Sequence, residues 1–345
     1  MRLKLLFSLV VIILLILALG SCRGGSSSNR LLIYTPHGQD LLRDFVARYK
    51  QQNPNVDIQF LDMGSREILE RLRVERNRPQ ADLWWGASHT TFQTAADENL
   101  LSEYRPTWAD KVPVSSRDPK DRWYGTYETP QVIAYNRDVV SASEAPRDWD
   151  DVLDPKWRDK ILIRNPNPSD TMRAIFGAMI WRFYKDTGST EKGYEWLRKL
   201  DANVHEYTAD GTLLMQKLAR REGSLTLWDM PDVRLSQDQK NLPVAYVVPA
   251  SGTPVIIDGI AVVRGGSNEE EAKRFYEFVT TPESLVYAAH KYYRIPIRTD
   301  LDRSQLPAWM NEPFNSLPLD WDLLRQQGGD WLRYWDTEIK GRSRH

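Results

Sequence analysis

Leu31-Leu-Ile-Tyr-Thr-Pro-His-Gly38 sets the architecture: a short apolar strand breaks at Pro36 and Gly38, and a helix begins with Leu41, Leu42, Phe45, Val46 and Tyr49 on one face. The pattern then repeats. Asn53-Pro54-Asn55 stops the helix, Val56 to Leu61 alternates as a strand, and Asp62-Met63-Gly64-Ser65 leads into a second helix carrying Ile68, Leu69 and Leu72. Pro79 closes that unit, Ala81 to Trp85 forms a third strand, and Gly86-Ala87-Ser88-His89 opens another helix at Thr90. Strands and helices alternating at this spacing predict an α/β fold with a mainly parallel sheet flanked by helices. In such sheets a ligand settles beyond the carboxyl ends of the strands, where the following helices start. Thr35 to Gly38, Gly64-Ser65 and Gly86 to Thr90 are therefore expected on one rim, with Thr35, His37, Gly38, Ser65, Ser88 and His89 as candidate contacts.

Further along, a strand over 131–136 is followed by Ile161-Leu-Ile163. A long helix comes next, with Met172, Ile175, Phe176, Met179, Ile180 and Phe183 on one face and Ser169 or Asp170 as its cap. Another helix near Gly211 precedes a strand ending in Trp228-Asp229. Val255 to Val263 reads as a strand returning to the first unit. The chain is thus expected to form two lobes, 30–128 with 254–345 and 129–253, joined by a two-crossing hinge.

The amino terminus has a different character. Arg2 and Lys4 precede an apolar run from Leu5 to Leu19, followed by Gly20, Ser21 and Cys22, the one cysteine of 345 residues. A run this short, with a positive start and small residues behind it, predicts an export signal over 1–21, and Leu19-Gly20-Ser21-Cys22 resembles the bacterial lipobox, which implies lipidation of Cys22. Residues 22–30 read as a flexible tether. No disulfide is possible in the mature chain. With a net charge of -1 and scattered Lys and Arg, nothing marks a nucleic-acid binder.

Gly-x-Ser-x-Gly, His-Glu-x-x-His and P-loop patterns do not occur, so neither an enzyme nor a cofactor is expected. Asp150-Asp151 are adjacent on a local turn and cannot flank a substrate. His37 and His89 follow two different strands and could meet, but without a third ligand of suitable spacing hydrogen bonding is the better role for both. Ser65, Ser88, Ser169 and Thr171 each read first as helix caps, and several of them facing one gap would make them ligand contacts. Trp228-Asp229 fits either a buried ring with a turn cap or a site where a carboxylate accepts hydroxyls or an amine beside an aromatic face. Asp258 and Arg294 are weaker candidates.

The order of Leu32-Ile-Tyr-Thr-Pro-His-Gly38, Ala81-Asp-Leu-Trp-Trp-Gly86, Asn136, Trp149-Asp-Asp-Val-Leu153 with Lys156-Trp157, and Tyr293-Arg-Ile-Pro-Ile-Arg298 resembles the bacterial solute-binding proteins of ABC importers. The resemblance is to the type II periplasmic-binding-protein group that takes ferric iron, phosphonates and sugar phosphates. It implies an exported, lipid-anchored monomer, periplasmic or at the cell surface, that captures a small solute by closing two lobes and passes it to a membrane permease. It also implies an anion cradle at Ser169-Asp170-Thr171. The adjacent tyrosines of the ferric members, after the strand ending here in Asp229, and their carboxylate near Ala87 are missing. A phosphorylated sugar or polyol, or a phosphonate, is therefore expected before a cation such as thiamine or a polyamine, or Fe(III). An envelope hydrolase is the distant alternative.

Overall fold

The computed structural model describes residues 30–342. The expected signal segment, Cys22 and nearly all of the tether lie outside the described residues. Among the described residues no helix is long and apolar enough to cross a membrane.

The chain opens with β1 (Arg30–Thr35), α1 (Gln39–Gln52), β2 (Asp57–Asp62), α2 (Ser65–Glu75), β3 (Leu83–Ser88) and α3 (His89–Asp97), as the spacing predicts. A long strand β4 (Tyr124–Asn136) follows, then β5 (Ile161–Arg164), α4 (Asp170–Thr187), α5 (Glu191–Asn203), β6 (Val204–Thr208) and α6 (Gly211–Ala219). Next come β7 (Leu225–Asp229), the short α7 (Met230–Arg234), β8 (Val244–Val247) and β9 (Val255–Val262). The chain ends with α8 (Glu269–Val279), α9 (Pro282–Tyr292), β10 (Ile295–Pro296) and α10 (Trp321–Glu338).

Strand order is β2-β1-β3-β9-β4-β7-β5-β6, with β8 and β10 also on β4. β1, β2 and β3 pair in parallel, as do β5, β6 and β7. β4 and β9 add antiparallel neighbours, because the chain re-enters each sheet from the opposite end, so the sheets are mixed rather than mainly parallel. β4 serves both lobes. Its first half, through Pro130, pairs with β9, and from Gln131 onward it pairs with β7 and β8. Leu31, Ile33, Phe45, Leu83, Trp85 and Phe275 belong to the first lobe's core, and Ile161, Ile163, Ile175, Phe176, Leu197 and Leu227 to the second's.

The carboxyl terminus departs from expectation. Residues 254–345 were assigned together to the first lobe, yet Trp331, Leu332, Trp335 and Ile339 of the α10 region are buried in the second lobe's core. Trp335 meets Phe176 edge-on at 5.2 Å. The cause is the apolar stripe on one face of α10, which is covered by α4. The chain therefore passes between lobes a third time, beside the two expected crossings. Gln131 N–H donates to Pro254 O at 3.1 Å, Thr253 N–H to Asn315 O at 2.8 Å, and Leu317 N–H to Thr253 O at 2.8 Å. Three segments laced by backbone bonds form the hinge.

Trp335→Ala removes a fully buried ring from the second lobe. Urea unfolding should show a loss of about 3 to 5 kcal/mol, the usual range for deleting a large aromatic side chain from a core. An exposed α10 would leave the midpoint unchanged.

Candidate ligand-binding site

A cleft of about 710 Å³ lies between the lobes, beyond the carboxyl ends of β1, β2, β5 and β7. His37, Gly38, Ser65, Ser169, Thr171, Trp228, Asp229, Asp258 and Arg294 all line it, drawn from both lobes. Three expected residues do not. Thr35 is fully buried and accepts the His37 N–H at Oγ1 (3.1 Å), which holds the turn. Ser88 and His89 stand elsewhere, for reasons given below.

The helix starts carry the positive side. α1, α2, α4 and α6 begin at the cleft, at Gln39, Ser65, Asp170 and Gly211. First-turn amides have no intrahelical acceptor, and the helix dipole adds positive potential. Several amides nearby are already occupied by the chain's own groups. Asp62 accepts from the Gly38 N–H, Glu67 from Gly64 (2.8 Å), Ser169 Oγ from Met172 (3.3 Å), and Asp210 from Leu213 (2.8 Å). Carboxylates and the Ser169 hydroxyl thus take one amide at or beside each helix start, Met172 and Leu213 within the first turn, and the other first-turn amides are left to a ligand. Gly38 has φ of 84°, a backbone conformation that glycine adopts without a Cβ clash.

Arg164, at the end of β5, is the charged group that the sequence reading missed. It stands 5.5 Å from the Trp228 ring, and its Nε finds no hydrogen-bond partner among the described residues. Burial pushes its guanidinium below the ordinary arginine value, opposed by Asp210 and Glu67. The signal was present, since Arg164 follows Ile163 at a strand's carboxyl end, where the same reasoning had placed Asp229.

Acids line the cleft from both lobes, Asp229 at the end of the strand next to Arg164's and Asp258 on β9. Asp229 caps α7, accepting the Asp232 N–H at 2.9 Å, and burial with the neighbouring Asp232 charge holds it well above the carboxylate range. Asp258 accepts a hydrogen bond from the Thr129 hydroxyl, and burial pushes it up to about 6. Arg294 donates to Asp232 at 3.1 Å, a pair that crosses between the lobes. The Trp228 ring is buried, with Nε1 donating to Asp232 at 3.3 Å, so the core reading and the cleft reading both hold for it. His37 packs edge-on against Trp85 and Tyr127, and burial, then Arg294, lowers it well below the ordinary histidine value.

Ser88 caps α3 as expected, accepting the Thr91 N–H, but it also reaches the other lobe. Asp170 of α4 accepts from Ser88 N–H (3.0 Å), Ser88 Oγ (2.8 Å) and Thr91 Oγ1 (3.0 Å). The Asp170 carboxylate therefore points across the seam, away from an anion at the Ser169-Asp170-Thr171 turn. His89 turns away from His37: it accepts the Ile257 N–H at 3.4 Å and packs edge-on to Trp321 at 4.8 Å, and burial lowers it to about 4. The two histidines share no site. Close by, a Cβ at Gly64 would lie 2.7 Å from the Pro168 carbonyl of the other lobe.

The comparisons agree with this geometry. A family model described as bacterial extracellular solute-binding protein matches residues 79–327. A "Probable ABC transporter periplasmic-binding protein" of Sinorhizobium fredii is 26% identical over 316 residues, 91% of this chain and 87% of that one. Among solved structures, the periplasmic binding protein P5PA matches with a TM-score of 0.80 at 24% identity, over 90% of this chain and 99% of that one. AfuA from Actinobacillus pleuropneumoniae, with exogenous fructose-6-phosphate bound, matches with a TM-score of 0.78 at 23% identity, over 90% and 99%. With a two-lobed α/β fold, an interlobe cleft and a family model spanning most of its length, the chain belongs to the bacterial extracellular solute-binding proteins.

Proposed function

We propose that the protein is the substrate-binding component of an ABC importer for a small phosphorylated sugar or polyol, or a phosphonate, captured between the lobes and delivered to a membrane permease. One observation carries the ligand class: Arg164, without an ion pair among the described residues, shares a cleft with four helix amino termini. A phosphoryl group satisfies both, since oxyanions are stabilised by first-turn amides and a guanidinium together. AfuA, a structural relative, holds fructose-6-phosphate. Asp258, across the cleft on the first lobe, and Asp229, at the strand end beside Arg164, suit hydroxyls or an amine of the ligand. A lipid anchor at Cys22, a monomeric state, and export to the periplasm or cell surface belong to the same reading. So do the ligand contacts assigned to His37, Gly38, Ser65, Ser169, Thr171, Trp228, Asp229, Asp258 and Arg294.

A second reading, a cationic solute such as thiamine or a polyamine, is favoured by the acids, because Asp40, Asp62, Glu67, Asp210, Asp229, Asp232 and Asp258 line the same cleft. Their engagement with helix starts and Arg294 offsets part of that charge, and burial disfavours the ionised form of Asp229. Iron fits less well: adjacent tyrosines are missing after β7, and Fe(III) prefers anionic oxygen donors.

Calorimetry with fructose 6-phosphate, 2-aminoethylphosphonate, thiamine and spermidine decides between the readings. The phosphorylated compounds should bind without product formation, and Arg164→Ala should weaken them about 10- to 150-fold, the loss of roughly 1.5 to 3 kcal/mol for a charge-assisted hydrogen bond. Binding of thiamine or spermidine alone, unaffected by Arg164→Ala, would reject the anion reading.

The cleft acids also set a pH dependence of stability. The unfolded chain loses the Asp258 proton near pH 4, whereas the folded protein keeps it to about pH 6. The folded state therefore binds more protons over that interval, and stability falls as the pH rises through it. In Asp258→Asn, urea unfolding of the ligand-free protein should show a fall between pH 4 and pH 7 that is smaller by about 2 to 3 kcal/mol. An unaltered slope would mean that Asp258 ionises as an ordinary carboxylate.

A further inference from the structure

Beside the Asp170 contact, a second cavity of about 60 Å³ opens at the seam between the lobes. Its lining brings Arg66 of α2, Arg173 of α4 and Arg325 of α10 together with Thr90 and Trp321. Arg325 is committed, with Nη1 on Asp97 at 3.1 Å. The guanidinium groups of Arg66 and Arg173 make no hydrogen bond or ion pair with any described residue.

These two cations come from opposite lobes. Arg173 is lowered to about 10, first by burial and then by the Arg66 charge, so the pair repels across the seam. Asp170 is the one carboxylate among the cavity's lining residues, and its oxygens are directed at Ser88 and Thr91. Both guanidinium groups are partly buried, and one with five donors and no protein acceptor is completed by water or by a counter-ion. The cavity supplies the room and two forks of donors, one from each lobe.

We propose that this cavity is a second anion site, separate from the cleft, in which a tetrahedral oxyanion of the phosphate or sulfate class bridges Arg66 of one lobe to Arg173 of the other. The bound anion turns repulsion across the seam into attraction and strengthens closure beside the Asp170 contact. A free inorganic oxyanion and the phosphoryl end of a transported solute offer the same chemistry.

Titration calorimetry with inorganic phosphate, and separately with sulfate, tests the site in the wild-type protein and in Arg66→Gln, Arg173→Gln and Arg164→Ala. Phosphate should bind the wild type and Arg164→Ala alike, while Arg66→Gln and Arg173→Gln should each weaken it at least ten-fold. In phosphate-free buffer Arg173→Gln should melt no lower than the wild type, because a partly desolvated charge that repels Arg66 has been removed, so its loss of binding is not loss of folding. Fructose 6-phosphate that displaces inorganic phosphate from Arg164→Ala would support the site with the solute's phosphoryl group as its occupant. Failure of the wild type to bind phosphate, or unchanged binding in both glutamine variants, overturns the proposal. Loss of phosphate binding in Arg164→Ala alone overturns it too, while leaving the anion reading of the cleft intact.

Discussion

β4 has to satisfy two sheets at once, and the rest of the molecule is arranged around that demand. Its backbone pairs with β9 as far as Pro130 and with β7 and β8 from Gln131 onward, so both lobes hang from one buried strand. At the switch of partners Gln131 faces Asp229 across one ladder, and Tyr127 faces Asp258 across the other. The placement of these acids in the cleft is thus a product of register. A one-residue slip of β4 would turn its alternating side chains over in both lobes, which is why burial along nearly its whole length fixes the pairing so firmly.

The helix starts show how such a cleft reaches a balance of charge. Asp62, Glu67, Asp210 and Asp229 each accept an amide at the beginning of a helix or beside one. Capping by the chain's own carboxylates stabilises the helices without a ligand, at about 1 kcal/mol for a typical cap. It also spends part of the positive potential that an anion would use. What remains is joined by Arg164 beside Trp228, with Asp229 at the neighbouring strand end, so charges of both signs are interleaved along the cleft.

Much of this was legible in the residues, and what was not has physical causes. Turn residues and apolar periodicity marked β1 through α3 correctly, because local chemistry determines where an element starts and which face it buries. They do not reveal what covers that face, so the placement of 254–345 with the first lobe was untenable for Trp331 and Trp335. Ser88 was read as a cap and is one. Its bond to Asp170, 82 residues away, depends on how two lobes meet, which no local pattern encodes. His37 and His89 follow strand ends alike, yet His37, in the turn after β1, lines the cleft, while His89, at the first position of α3, packs against Trp321. Arg164 was within reach of the strand-end rule, since it closes β5 as Asp229 closes β7.

Gly64 shows what such a seam requires of a backbone. Its φ of -61° and ψ of 146° suit any residue, so no torsional preference calls for glycine there. The obstacle to a side chain is the Pro168 carbonyl, which belongs to the facing lobe. A single methyl at this position would be harmless to a molecule standing ajar and would act as a doorstop against its shutting, so the residue is selected by an encounter between distant parts of the chain and not by the helix it begins.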